Sequence, residues 1–410
     1  MNILYIAYSC DPYEGSEDKI GWRVPYECAK TNRVFVITKE EHRKSVERYM
    51  QTHQVDNIEH FYVDIPPVFK RFFRGFLYSA RLNIWHRHAL AAARQICREK
   101  NIQLIHQITP VEFRAIGKYA QIPGVKFVCG PMGGGEQIPM GLRYYAKAHK
   151  HIEILRSAIN WMTVCSFRWR HVMKVKQYDK LMFANSETRD CLVGKNRNKS
   201  DFSIMTEIAI DSLALQNVKH EEQYRQNIVF LAAGRMIYRK GFDFLLDVLE
   251  RLPDNLNYEC RIIGDGPELK KLQARAESSS FLKKHVIFTG VVPFELMKTE
   301  YENADVFIMP SIRETTGSVL LEAMSEGLPI ITVKRFGGAE LVDEETGWFF
   351  DGEDRESFIG SCCDAMMQCI MDRGEVLRRG MNAAVKVECF TWEKKNLYYQ
   401  DVYREVIDLE

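Results

Sequence analysis

The sequence predicts an α/β protein built from two doubly wound units. Short, β-branched apolar runs alternate with segments of helical period through the first half. After a polar, aperiodic stretch the same alternation begins again. Strands separated by helices require crossover connections, and these give a parallel sheet covered on both faces. The 410 residues suit this arrangement, since that length is about right for two or three domains.

The first unit opens on the run Asn2 to Ala7, followed by a loop rich in Gly, Pro and Ser. Trp22 to Lys30 has helical character, Val34 to Thr38 is a second strand, and Ala89 to Lys100 is a helix feeding a strand at Ile102 to His106. Val125 to Cys129 follows as a strand, and Phe183 to Glu187 reads as a strand and turn that close the unit. The second unit restarts at Ile228 to Ala232, with a helix over Phe242 to Leu252. Arg261 to Ile263, Val286 to Thr289, Val306 to Met309 and Ile330 to Val333 are its further strands. The seam falls in residues 205–226, where periodicity is lost and Gln216 to Gln226 is polar. The division is 1–208, 209–388, and a final segment 389–410 that is aromatic and charged at helical spacing.

Hydrophobic residues make up 46% and charged residues 27%, so large cores are available and wholesale disorder is not expected. A formal net charge of +1 gives no bulk attraction for a nucleic-acid polyanion. The 11 cysteines are odd in number, scattered, and without a Cys-x-x-Cys pair, which suits a reduced cytoplasmic protein with buried thiols. The opening residues lack a basic n-region and run into a strand pattern, the opposite of a secretory leader. No apolar run approaches the roughly 18 residues a membrane span needs.

The most informative stretch is Ser311 to Pro329. It follows the strand Val306 to Met309, and Gly317-Ser318 opens a helix that stops near Gly327. A loop that leaves a strand and enters a helix presents unpaired backbone N–H groups, which makes an anion site. Glu314 stands before that helix start and Glu322 about one turn inside it, so amides for a phosphate lie between carboxylates for hydroxyls. Taken alone, the same pattern also describes a solvated helix start with two ordinary glutamates. A second element, Gly234-Arg-Met-Ile-Tyr-Arg-Lys-Gly241, sets Arg235 and Lys240 in a glycine-bounded loop after another strand. Two cations there can neutralise a departing diphosphate. A third, Ile262 to Glu268, carries Gly264 and Gly266 in a tight strand-to-helix turn, mainly architectural and bordering the nucleotide. It lacks a full Gly-x-Gly-x-x-Gly, which weakens a nicotinamide reading.

In combination these motifs resemble retaining glycosyltransferase family 4, of GT-B architecture and of the bacterial polysaccharide-assembly type. The resemblance rests on Gly-Arg…Lys-Gly, Gly-Asp-Gly-Pro-Glu, Ala304 to Ser311, Glu-x7-Glu, Gly337 to Val342, Thr346-Gly347 and Phe390 to Glu393. It implies two Rossmann-like domains with a cleft between them and a C-terminal helix, Trp392 to Val406, crossing back to the first domain. It implies that Arg235 and Lys240 bind the donor diphosphate, that Glu322 binds the ribose hydroxyls, and that Glu314 contacts the donor sugar. Gly234, Thr316, Gly317, Ser318 and Val319 complete the donor loop positions. Many members have Gly-Phe-Gly after the first glutamate. Here Thr315-Thr316-Gly317 stands in its place, which leaves the donor sugar open.

In the first half, Gly15 and Ser16 lie in a loop after the first strand, where backbone N–H groups could approach the diphosphate; an ordinary surface turn is the alternative. His106 closes its strand at the ligand-binding edge and resembles the family's histidine that reaches the transferred sugar, the alternative being a satisfied structural residue. Gly130 to Gly135 suits close backbone approach to a ligand. Two segments, Phe69 to Tyr78 and Arg143 to Lys176, mix aromatic and basic residues. They fit peripheral contact with the inner leaflet of the plasma membrane, or a helical pair with aromatics packed inward.

The resemblance implies a front-face reaction with no metal and no cofactor. A nucleotide diphosphate sugar, UDP- or GDP-type, is the co-substrate, and a glycan or lipid-linked hydroxyl is the acceptor. It points to capsule, lipopolysaccharide or other surface-polysaccharide biosynthesis. A sugar-nucleotide epimerase, a phosphorylase, and a non-catalytic nucleotide-sugar-binding subunit are the alternatives.

Overall fold

The computed structural model describes residues 1–53, 55–66, 78–194, 202–212 and 227–408. The segment Phe69 to Tyr78 and most of the polar seam lie outside the described side chains. Two compact units make up the chain. One holds Met1–Gly135, Ile154–Ile208 and Trp392–Glu410; the other holds Glu136–Glu153 and Ala209–Thr391.

The first unit is a seven-stranded parallel sheet of β1 (Asn2–Ala7), β2 (Arg33–Thr38), β3 (Ile58–Tyr62), β4 (Leu104–Thr109), β5 (Lys126–Met132), β6 (Lys180–Phe183) and β7 (Phe202–Ile204). Its order is β3-β2-β1-β4-β5-β6-β7, so strand order reverses between β1 and β4. The central strands are apolar almost without interruption because helices cover both faces. Leu4, Ile6, Phe35, Ile37, Ile105 and Phe127 meet Leu82, Trp85 and Ala89 of the helix Tyr78–Lys100 in the core.

The final helix, Trp392–Asp408, belongs to this unit. Its buried face carries Trp392, Tyr399, Val402, Tyr403 and Val406. Gln400 accepts from Asn32 at 3.0 Å, Lys180 pairs with Glu405 at 3.0 Å, and the buried Lys395 donates to the Thr206 carbonyl. Burial pushes the Lys395 ammonium down to about 7, against the opposing charge of Glu207.

The second unit is a six-stranded parallel sheet of β8 (Ile228–Ala233), β9 (Tyr258–Ile263), β10 (Val286–Gly290), β11 (Val306–Met309), β12 (Ile330–Val333) and β13 (Gly347–Phe350). Its order is β10-β9-β8-β11-β12-β13, and the reversal falls between β8 and β11. Phe230, Ala232, Ile262 and Ile308 pack with Phe244, Leu245 and Val248 of the helix Phe242–Leu249.

The division 1–208 and 209–388 needs one correction. Residues 136–153 belong with the second unit, because Ile138, Leu142, Tyr145 and Ala146 are part of its core. The Tyr145 hydroxyl donates to Asp247, which also accepts from Arg355 at 2.6 Å. Gly141 lies so close to the start of the helix Arg355–Met371 that a Cβ would stand 2.6 Å from the carbonyl oxygen of its N-cap, Asp354.

Candidate functional site

Three loops at the carboxyl edge of the second sheet are stitched together by backbone hydrogen bonds. The loop after β8 meets the loop after β9 where the Met236 amide donates to the Asp265 carbonyl at 2.8 Å and the Glu268 amide to the Met236 carbonyl at 3.0 Å. Gly264 and Gly266 make this closeness possible. A Cβ on Gly264 would stand 2.1 Å from the Gly234 oxygen, and one on Gly266 2.5 Å from the Met236 oxygen. Both also have positive φ, which disfavours a side chain. The loop after β8 meets the loop after β11 where the amides of Ile312 and Arg313 donate to the Arg239 carbonyl at 3.0 and 3.3 Å.

That stitching brings Lys240 to Glu314. Their ammonium and carboxylate are paired, and Arg239 Nη1 lies 3.4 Å from the other carboxylate oxygen. Burial alone would raise the Glu314 carboxyl, but the charges of Lys240 and Arg239 and the hydrogen bonds from Lys240 and the Thr315 amide outweigh it. The group is held below the usual carboxylate range and is an anion at neutral pH. Gly234 lies beside the Lys240 stem, 3.8 Å from an added Cβ to its Cδ, and Arg235 is exposed.

The helix Ser318–Ser325 begins four residues after Glu314. Its N-cap, Gly317, has φ 93° and provides no capping side chain, so the first-turn amides of Ser318 and Val319 have no help from one. Thr316 is fully buried, pressed by Gly337. Glu322, one turn into the helix, accepts a 2.8 Å hydrogen bond from the Tyr301 hydroxyl. The second unit therefore gathers Gly234, Arg235, Lys240, Gly264, Gly266, Glu314, Thr316, Gly317, Ser318, Val319 and Glu322 on neighbouring loops at one sheet edge.

Arg239, Tyr301 and Glu153 escaped the sequence reading. Glu153 accepts from Arg313 Nη1 and, at 2.6 Å, from the Tyr238 hydroxyl, tying residues 136–153 to these loops. Arg239 could have been found beside Lys240 in its motif; Tyr301 and Glu153 have no local signal.

In the first unit, Gly15 is exposed and caps the helix Ser16–Ala29, again without a side-chain hydrogen bond, and Ser16 takes a positive φ of 55°. Next to them, Glu17 accepts from the Val111 amide at 2.5 Å. Desolvation pushes its carboxyl up to about 7, more than that hydrogen bond lowers it.

His106 departs from its expected position. β4 runs on to Thr109, so His106 lies inside the strand and is fully buried. Nε2 lies 2.6 Å from the Gly130 carbonyl, which can only accept, so Nε2 carries the proton. Burial lowers the imidazole to about 4, leaving it neutral, so Nδ1 accepts from the Tyr403 hydroxyl at 2.6 Å. That hydroxyl in turn accepts from Tyr5 at 2.8 Å. Both ring nitrogens are committed within the unit, and no nitrogen remains for a sugar.

Among the described residues, no group of three or more His, Cys, Asp or Glu side chains is placed to hold a metal, and no helix is long and apolar enough to cross a membrane.

Residues 216–366 match the family of glycosyl transferases group 1. Sulfoquinovosyl transferase SQD2 of Arabidopsis thaliana is 32% identical over 165 residues, 39% of this chain and 30% of that protein. The GDP-mannose-dependent alpha-(1-6)-phosphatidylinositol monomannoside mannosyltransferase of Mycolicibacterium smegmatis is 33% identical over 150 residues, 34% of this chain and 38% of that protein. The matches thus span only 30% and 38% of the length of these curated relatives. Solved structures match end to end at low identity. They include sucrose-phosphate synthase of Thermosynechococcus elongatus (TM-score 0.68, 17% identity, covering 100% of both chains). Alr3699/HepE of Anabaena, in complex with UDP and glucose, gives a TM-score of 0.63 at 16% identity, covering 99% of this chain and 100% of that one. The lipopolysaccharide outer core galactosyltransferase WaaB gives 0.62 at 16% identity, covering 98% and 100%. The chain therefore has two Rossmann-like parallel sheets of the GT-B kind, and its second unit is similar to the glycosyl transferases group 1 over residues 216–366.

Proposed function

We propose that this protein is a retaining, hexosyl-type glycosyltransferase that moves a sugar from a nucleotide diphosphate donor to a hydroxyl of a glycan or lipid-linked acceptor. The observation that carries the reading is the Lys240–Glu314 pair beside the uncapped helix start at Gly317. It lies where strand order reverses, the place at which open parallel sheets take ligands. A diphosphate suits the amides of Ser318 and Val319 together with the Arg235 and Lys240 cations. Glu322, oriented by Tyr301, suits two vicinal ribose hydroxyls, and Glu314 suits hydroxyls of the transferred sugar.

In this reading the bond from the anomeric carbon to the β-phosphate oxygen breaks while Arg235, Lys240 and the helix start take up the developing charge. The acceptor oxygen bonds to the same face of that carbon, and its proton passes to the leaving phosphate oxygen. Charge compensation is assigned to protein groups, and the reading expects turnover to survive chelation of divalent metals. His106 has no part in the chemistry.

The relatives' names support a UDP- or GDP-type donor, since one is GDP-mannose-dependent and HepE was crystallised with UDP-glucose. The name of WaaB, a lipopolysaccharide outer core galactosyltransferase, supports a role in surface-polysaccharide assembly.

A thermal-shift panel of nucleotide sugars tests the reading. One donor and its free nucleotide should stabilise the protein, and that donor should be hydrolysed slowly without acceptor. Glu314→Ala should abolish the hydrolysis, and the product's anomeric configuration by NMR should match the donor's. A protein that ignores every sugar nucleotide, or hydrolyses its donor as fast after reversal of both Arg235 and Lys240, is not this enzyme.

A further inference from the structure

The helix Lys150–Val172 turns an apolar stripe to solvent. Its buried side is held by Phe167, stacked on Tyr178 at 6.0 Å, and by Asn160, whose side-chain oxygen accepts from Arg114 at 2.6 Å. At about 100° per residue the opposite side gathers Ile154, Leu155, Trp161, Met162, Trp169 and Val172 within an arc of about 120°. All six are exposed; Trp161 keeps 68% and Trp169 62% of its surface in solvent. The small Ala158 and Cys165 fall between them. The stripe runs roughly 27 Å along the helix. Soluble surfaces rarely leave so large a contiguous apolar area uncovered. The aromatics expected to pack inward therefore divide, with Phe167 inside and both tryptophans outside.

Charge identifies what covers the stripe. Between Glu153 and Asp179 the sequence has no acidic residue, but it has Arg156, Arg168, Arg170, Lys174 and Lys176. Arg156 is held by the Gly134 carbonyl at 2.6 Å and Lys176 by Asp179 at 2.9 Å. Arg168 and Lys174 are exposed and Arg170 is half-exposed, all around the stripe's C-terminal half. Tryptophans at the level of cations, over an apolar strip that is too polar-flanked to span, match the boundary of an anionic bilayer. A second copy is a poor occupant, because symmetric pairing would set two acid-free cationic clusters against each other.

We propose that this face docks on an anionic lipid surface, the helix lying in the headgroup plane with Trp161 and Trp169 inserted and Arg168, Arg170 and Lys174 on lipid phosphates. The proposal concerns a surface of the first unit and stands apart from the donor-site reading.

The test is co-sedimentation of the full chain with vesicles of phosphatidylcholine alone and of phosphatidylcholine with about one-third phosphatidylglycerol. Binding should appear on the anionic vesicles only, weaken with salt, and shift tryptophan emission to the blue. Trp161→Ser with Trp169→Ser, and separately Arg168→Glu with Arg170→Glu, should each cut binding at least about tenfold while leaving the circular dichroism and melting midpoint of the wild type. The lost blue shift in the serine variant ties insertion to those rings. Equal binding to neutral vesicles, wild-type binding by folded variants, or a solution dimer that the serine pair dissociates would each overturn the proposal. Because the readout is sedimentation, a failed donor reading leaves it intact, and the reverse holds too.

Discussion

Lys240, in the loop after β8, is ion-paired with Glu314, in the loop after β11, although 74 positions separate them in the chain. Arg239 shares the carboxylate, and its own carbonyl accepts the amides of Ile312 and Arg313. The backbone stitch and the ion pair are thus one device. It fixes a cation and an anion side by side, so that a ligand with phosphate at one end and hydroxyls at the other finds both.

Lys240→Ala should cost both stability and binding. It leaves the Glu314 carboxylate buried with only Arg239 as a charged partner, a loss on the order of 1–3 kcal/mol. The Glu314 carboxyl should titrate higher than in the wild type, since its largest favourable partner is gone. Chemical unfolding together with calorimetric titration of UDP or GDP measures the two effects. Unchanged stability would mean the pair is not formed in solution.

Arg235→Ala should separate the two effects. The side chain is exposed, so its removal should change stability by no more than about 0.5 kcal/mol. Nucleotide diphosphate affinity should nevertheless fall about tenfold, the value of one charge-assisted phosphate contact. A variant that binds as tightly as the wild type removes Arg235 from the site.

Much of this arrangement is legible in the sequence, because buried parallel strands are unbroken apolar runs and the donor motifs sit at their ends. The edge strand β3 was invisible because Ile58–Tyr62 is half-buried throughout and mixes Glu59 and His60 with apolar residues. β4 looked shorter than it is because the buried Gln107 and Thr109 interrupt its apolar run, and that error put His106 at the strand's end. Gln107 is satisfied by the Ala115 carbonyl and the Gly117 amide, partners its spacing gives no hint of. Residues 136–153 dock through Asp247 and Asp354, 100 or more positions downstream, beyond any local pattern.

Gly241→Ala should disrupt the site without touching a charged group. Gly241 has φ 72°, and an added Cβ would stand 1.9 Å from the Pro310 carbonyl oxygen. A left-handed alanine costs about 1–2 kcal/mol before any clash, and here the loops after β8 and β11 must also separate. Unfolding should shift by more than that figure, and donor affinity should fall with it even though Arg235, Lys240 and Glu314 are all present. Normal donor affinity in a destabilised variant would show that the two loops need not touch.

Tyr301→Phe should test whether orientation of Glu322 matters. The change deletes the 2.8 Å hydrogen bond and leaves the ring packed near Phe307. Stability should drop by about 1 kcal/mol. If Glu322 takes the ribose, KM for the donor should rise several-fold with kcat nearly unchanged, since ribose contacts are alike in the ground and transition states. A fall in kcat at constant KM would contradict that assignment.

Three histidines of the first unit, the buried His86 and His106 and the half-buried His60, set a pH dependence of known sign. Burial holds His106 and His60 down to about 4 and His86 to about 3, against an ordinary value near 6.5. Between about pH 6.5 and 4 the unfolded chain binds protons that the folded unit refuses, so stability must fall as pH drops through that window. Glu17, raised to about 7, acts oppositely, its stabilisation fading as pH rises from about 4.5 to 7. The individual share of His106 is accessible through His106→Gln, whose amide can donate to the Gly130 carbonyl and accept from Tyr403 but does not titrate. Each non-titrating replacement removes about 1.4 kcal/mol per pH unit from the slope. Between pH 6.5 and 5 the variant should therefore lose about 2 kcal/mol less than the wild type in urea unfolding. Parallel curves for the two proteins would mean that the folded unit takes up the His106 proton as readily as the unfolded chain, and that burial does not hold the imidazole neutral.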